Sequence, residues 1–149
     1  MAESLTDEQR KKKMGAIKGK ETSIERKVSK ELWNRGYRFR KNVKNLYGTP
    51  DIAIKKYKIV IFLDSCFWHG CEAHGTFPNS NQSFWFNKLS RNKERDEEVN
   101  QYYLKKGWHI LRIWEHEVNS SVEITVDKIV QFIEEAKIFE RYKSYNRNS

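Results

Sequence analysis

The sequence predicts an α/β fold, a small mixed sheet flanked by helices on both faces. Three observations carry that prediction. Apolar residues recur at helical spacing in three segments, near residues 22–35, 82–106 and 121–140. Short runs of strand character lie between them, and one, Ile59-Val60-Ile61-Phe62-Leu63, is wholly apolar. The resulting order, α, mixed β, α, β, α, is that of a sheet covered on two sides. At 149 residues the chain has the size of one domain, large enough to bury a core without staples.

Residues 1–20 are polar and basic, with Gly15 and Gly19 breaking any long helix. Lys11, Lys12 and Lys13 precede two isolated apolar residues, Met14 and Ile17, in charged surroundings. An arm with a short helix is one reading and a disordered tail the other. Thr22 and Glu25 fit a capping box, after which Ile24, Val28 and Leu32 repeat at helical spacing and Gly36 supplies a stop. Tyr37-Arg38-Phe39-Arg40 alternates apolar with basic residues, the pattern of a half-buried strand. A loop with Gly48 and Pro50 leads into a strand over 51–54, residues 55–58 form a hairpin turn, and 59–63 form a central strand buried on both faces.

Residues 64–81 read as an irregular loop with Gly70, Gly75 and Pro78. A long helix over about 82–106 ends at Gly107; its inner stripe is Trp85, Leu89, Asn92, Asp96, Val99 and Tyr103, so two polar residues stand where packing wants apolar ones. A strand follows over 108–114. The last helix begins near Ser121, with Ser120 and Glu123 as a second capping box, and the chain is expected to fray after about residue 140.

Net charge is +9, distributed unevenly. Residues 10–58 hold 17 Lys/Arg against Glu21, Glu25, Glu31 and Asp51, a local +13, and the remainder is net negative. Such one-sided charge is the footprint of a polyanion binder. No lipidation signal or amphipathic apolar face favours a membrane, and the longest apolar run is far short of a span. Two cysteines make no disulfide framework, and no apolar leader opens the chain. The expectation is a soluble cytoplasmic protein with no membrane partner.

The densest chemistry lies in residues 50–74. Cys66, Cys71 and His74 place three ligands of zinc-binding type within nine residues. Zn²⁺ takes four in a tetrahedron, and four protein ligands make a structural site. His116, after the 108–114 strand, is the preferred fourth, because it would tie an irregular loop to the sheet; His69 is the alternative. The plain alternative is two buried thiols with unrelated histidines. Pro50-Asp51 at a strand start and Asp64 at the next strand's end bring two carboxylates together, one way to hold Mg²⁺ against a scissile phosphate. Both are also ordinary turn residues. His69 has the intrinsic pKa of a general base near neutrality, and Asp96 could orient it; on the helix surface Asp96 could equally pair with Arg91 or Lys93. Glu25 is read as a cap or a supporting site residue.

Cys66-Phe67-Trp68-His69-Gly70-Cys71, with Trp114-Glu115-His116, Arg95-Asp96 and the upstream Pro50-Asp51, closely resembles the very-short-patch repair endonucleases, relatives of type II restriction enzymes. The resemblance covers about residues 8–137. It implies a restriction-endonuclease-like core with a structural zinc site: a basic DNA-binding arm over 1–20, an endonuclease domain over 21–140 and a frayed tail over 141–149. It implies a strand-specific nick 5′ of the mismatched thymine in T·G pairs left by deamination of 5-methylcytosine. By similarity Asp51 and the Leu63 carbonyl hold catalytic Mg²⁺, and His69 and Asp96 activate water. Phe67, Trp68 and Trp85 wedge into the base stack, Met14 and Ile17 belong to the basic arm that enters the minor groove, with Lys11, Lys12 and Lys13 also DNA-binding, and Cys66, Cys71, His74 and His116 bind zinc. Glu25 and Asn92 stand as supporting residues. A monomer acting on duplex DNA in the bacterial cytosol is implied, linked functionally to a DNA cytosine-5 methyltransferase and to mismatch-repair proteins. At Asp64 some relatives carry a histidine that contacts phosphate; an ionised carboxylate cannot do that, and a second metal-ligand role is open. A wobble pair stacks poorly, so wedging it open costs less than at a Watson–Crick step, and aromatic stacking offsets much of that cost. Two other functions stay open: a related restriction or homing nuclease cutting ordinary duplex, and a zinc-stabilised DNA-binding module without catalysis.

Overall fold

The computed structural model describes residues 23–66 and 82–147. Helix α1 (Ser23–Asn34) is followed by strands β1 (Arg40–Lys41), β2 (Ile52–Ile54) and β3 (Ile59–Asp64), helix α2 (Gln82–Lys105), strand β4 (His109–Trp114), and helices α3 (Glu115–Ser120) and α4 (Val122–Arg147). One four-stranded sheet has the order β1-β2-β3-β4. The first three strands run antiparallel, while β3 and β4 are parallel, with Asp64 opposite Trp114. The expected small mixed sheet flanked by helices is therefore what forms.

Every residue of β3 is buried, as its unbroken apolar run requires of a central strand. Ile59, Ile61 and Leu63 join Ile24, Val28, Leu32, Ile113, Ile129 and Ile133 in the core beneath α1 and α4. Val60 and Phe62 point the other way, to Val99 and Tyr103 of α2. The period of two then assigns Asp64 to the α2 face, where a carboxylate needs a partner. The hairpin turn is a short 3₁₀ segment (Lys55–Tyr57) closed by Lys58 at φ 56°.

Three local expectations change. The strand expected over 37–40 pairs only at Arg40 and Lys41, because Asn42 turns to φ 48° and Arg38 folds back over the Trp33 ring at 3.6 Å. The last helix is capped by Ser121 rather than Ser120, its Oγ accepting from the Ile124 N–H, because residues up to Ser120 form the separate helix α3. It also continues to Arg147, past the expected fraying point near 140. Glu140 meets His109 Nε2 at 3.0 Å and Lys143 lies over the Phe139 ring, so polar contacts carry the helix where its apolar stripe thins.

The loop before β2 leads directly to Asp51. Gly48 sits at φ 75°, and a Cβ there would lie 3.0 Å from both methyls of Val99. Strain and clash act together. We expect Gly48→Ala to lose about 1–3 kcal/mol, a fall of roughly 3–10 °C in melting temperature by calorimetry.

Candidate active site

Asp51 immediately precedes β2. Its backbone carbonyl accepts from Asn42 N–H and that of Pro50 from Val43 N–H, so the loop holds it from behind. In front, the Leu63 N–H donates to Asp51 Oδ2 at 2.7 Å. A residue in an extended strand points its N–H and C=O to the same side, so the Leu63 carbonyl is turned toward Asp51 as well. Glu25, in the first turn of α1, hydrogen-bonds the Asp51 carboxyl. Burial raises that carboxyl from its ordinary 3.8 to about 8; the Leu63 bond opposes the rise, while Glu25 and the nearby Asp64 add to it. Acids crowded this way hold a proton or a cation between them.

Asp64 is 4% exposed and faces Arg112 of β4. Arg112 Nη1 lies 3.0 and 3.1 Å from the two carboxylate oxygens. The same guanidinium donates from Nε to Asn100 Oδ1 at 2.6 Å and from Nη2 to the Asp96 carbonyl at 3.3 Å. Asp96 Oδ1 is 3.7 Å from Nη1. The two carboxylates expected near each other, Asp51 and Asp64, are thus at one end of the sheet, with Asp96 reached through Arg112.

The sequence reading missed Arg112 and Asn100. The available signal was an arginine between Ile110 and Trp114, the apolar residues that share its face of β4. Asn92 is half-buried one turn before Asp96 on α2.

Cys66 follows β3 by two residues. Its Sγ is 3.3 Å from His116 Nδ1, and its N–H donates to Glu115 Oε1. The Trp114 and His116 rings stack, holding the imidazole at the end of β4. Among the described residues no three His, Cys, Asp or Glu side chains gather into a metal-holding group. Phe67, Trp68, His69, Cys71 and His74 lie outside the described residues, as do Lys11, Lys12, Lys13, Met14, Ile17 and the cap candidate Thr22. Trp85 is half-buried near the start of α2; exposed Phe84 packs edge-on against it, and Lys88 lies within 6 Å of both rings. Phe84, more than half exposed, thus forms an aromatic pair of which the sequence singled out only Trp85.

A family model described as DNA mismatch endonuclease Vsr matches residues 2–74. A type II nicking enzyme of Haemophilus parainfluenzae is 44% identical over 124 residues, covering 81% of this chain and 88% of that one. Another, from Neisseria meningitidis serogroup C, is 36% identical and covers 94% and 96%. The DNA mismatch endonuclease Vsr of Escherichia coli is 32% identical over 127 residues, 85% of this chain and 81% of its own. With relatives of that identity spanning most of its length, and half-buried Glu25 and Asp51 paired at one end of the sheet, the chain belongs to the Vsr family of DNA endonucleases, which act on DNA phosphodiester bonds.

Proposed function

We propose that this protein nicks one strand of duplex DNA in a Mg²⁺-dependent reaction, 5′ of the mismatched thymine of a T·G pair. The observation that carries the reading is the Glu25–Asp51 pair beside the Leu63 backbone. A buried carboxyl that retains its proton up to about 8 is costly for folding and makes sense as a cation seat. Its donors are all oxygen, as a hard cation such as Mg²⁺ requires. When bound, Mg²⁺ supplies charge stabilisation on the phosphoryl oxygens and a more acidic attacking water.

The chain's own residues do the rest. Asp51 and the Leu63 carbonyl would hold the ion. His69 takes the proton of the attacking water, and Asp96 orients His69. Phe67, Trp68 and Trp85 open the mismatched step, and the exposed Phe84 packs edge-on beside Trp85. Met14 and Ile17 enter from the minor groove, with Lys11, Lys12 and Lys13 on phosphates. Cys66 and His116, 3.3 Å apart, would join Cys71 and His74 in holding a structural zinc, which would brace the segment carrying Phe67 and Trp68. The enzyme works as a monomer in the bacterial cytoplasm, clearing deamination products at sites of a cytosine-5 methyltransferase and handing the nick to repair proteins. Among the described residues no helix is long and apolar enough to cross a membrane.

The test is a nicking assay with Mg²⁺ on end-labelled duplexes, each with one T·G pair in a different methyltransferase site, beside matched controls. We expect cleavage of one strand of one T·G duplex and none of its control. Equal cleavage of matched duplex would point to an ordinary restriction-type nuclease. Tight binding without cleavage would reduce the protein to a DNA-binding module. Removing residues 1–20 should weaken binding and flatten its salt dependence, read by fluorescence anisotropy across a salt series; unchanged affinity would make that segment a mere tail.

A further inference from the structure

Arg112 is out of place for a strand residue whose role is packing. Its side chain is 19% exposed, and its guanidinium carbon lies 4.4 Å above the Phe62 ring. The parallel ladder sets Arg112 opposite Phe62, and the neighbouring positions on the same face are Ile110 and Trp114. Dehydrating a guanidinium there is expensive, and an aliphatic side chain would cover Phe62 at lower cost. What the arginine adds is directional. Nη1 takes Asp64 at the end of β3, Nη2 takes the Asp96 carbonyl, and Nε takes the Asn100 side chain. Asp96 and Asn100 are one turn apart on α2. A single planar group therefore spans β3, β4 and α2 at the end of the sheet that holds Asp51.

We propose that Arg112 is the positioning residue of this active site: it fixes the Asp96 turn of α2 relative to the end of β3, and holds Asp64 as its internal counter-ion, away from duty as a metal ligand. The inference rests on the reading of Asp51 and Asp96 given above. Leu63, whose N–H grips Asp51, is the residue before Asp64. Clamping Asp64 and the 96–100 turn with one fork sets the spacing between the cation-binding acid and the acid that orients the water-activating imidazole. Misplacing reacting groups by about 1 Å costs on the order of 100-fold in rate. Lysine could neutralise Asp64, but it carries a point charge without the fork and cannot serve all three partners.

The test uses full-length Arg112→Lys and Arg112→Met under single-turnover conditions on the T·G duplex, with Mg²⁺ titrations and thermal melts. The expected result for Arg112→Lys is a folded protein with DNA affinity and half-saturating Mg²⁺ within about threefold of wild type, and a cleavage rate on the order of 100-fold lower. In an Asp96→Asn background the same change should cost little more, because Arg112 acts through Asp96. Wild-type rates in Arg112→Lys would overturn the proposal, leaving charge neutralisation alone. A shift of more than about tenfold in half-saturating Mg²⁺ would also overturn it, making Asp64 and Arg112 part of the metal site. Fully additive losses in the double variant would overturn it as well. Should Arg112→Met fail to fold, Arg112→Lys still decides. An Asp96→Asn protein that nicks like wild type would instead sink the underlying reading of Asp96, a result distinguishable from any of these.

Discussion

Asp51→Asn should abolish nicking while making the protein more stable in alkaline buffer. The two effects share a cause. Asn keeps the shape, its Oδ1 can accept from the Leu63 N–H, and its Nδ2 can donate to Glu25, so the hydrogen bonds survive. It cannot give a cation a charged ligand, and we expect the nicking rate to fall by at least about 10³-fold, with duplex affinity retained. Burial, then Glu25 and Asp64, hold the Asp51 carboxyl near 8 against an ordinary 3.8. An acid whose folded pKa is raised favours the folded state while protonated. That contribution is fully present below about 3.8 and is lost as pH rises through about 8. At pH 8.5 the wild type should therefore lie below Asp51→Asn in stability, by on the order of a few kcal/mol, read from urea melts without divalent cation. Mg²⁺ should close that gap for the wild type only. Protons and cation compete for the same group, so the Mg²⁺ concentration for half-maximal nicking should fall as pH rises from 6 to 9. Undiminished nicking by Asp51→Asn would remove the cation site from this carboxylate.

The proposed zinc site predicts that Cys66→Ser loses bound metal and much of its stability together. Cys66 Sγ and His116 Nδ1, 50 residues apart in sequence, come within 3.3 Å, a separation that a shared tetrahedral metal would produce. We expect about one zinc per chain in the wild type and none in Cys66→Ser, by atomic absorption. Metal binding is folding free energy, so losing the site should lower the melting temperature by on the order of 10 °C, and a strong chelator should lower the wild type by the same amount. Nicking should fall with it, because the proposed zinc would brace the segment carrying Phe67, Trp68 and His69. A zinc-free wild type, or a Cys66→Ser protein with unchanged melting temperature and metal content, would reduce the pair to a thiol–imidazole contact.

What the sequence determined by itself is the layout. An unbroken apolar run has one comfortable place in a small α/β protein, the middle of the sheet, and β3 occupies it. Helical spacing set the bounds of α2 within a residue or two, because Gly107 marks its end at φ 77°. The Pro50-Asp51 step and the Trp-Glu-His run carried the family resemblance, since those residue types are fixed by chemistry rather than by packing. Tertiary structure alone decided who meets whom. Glu25 could cap a helix or serve the site, and only the approach of α1 to the head of β2 brings it to Asp51. Asp64 could bind metal or turn the chain, and its partner Arg112 is 48 residues further on. Asp96 could orient His69 or pair with Arg91 or Lys93 on the helix surface; among the described residues its carbonyl and carboxylate meet Arg112, which also serves Asp64 and Asn100. Periodicity records which way a side chain points within its own element. The charge that waits opposite depends on how strands and helices from distant parts of the chain are stacked, and a buried carboxylate takes its role from that neighbour.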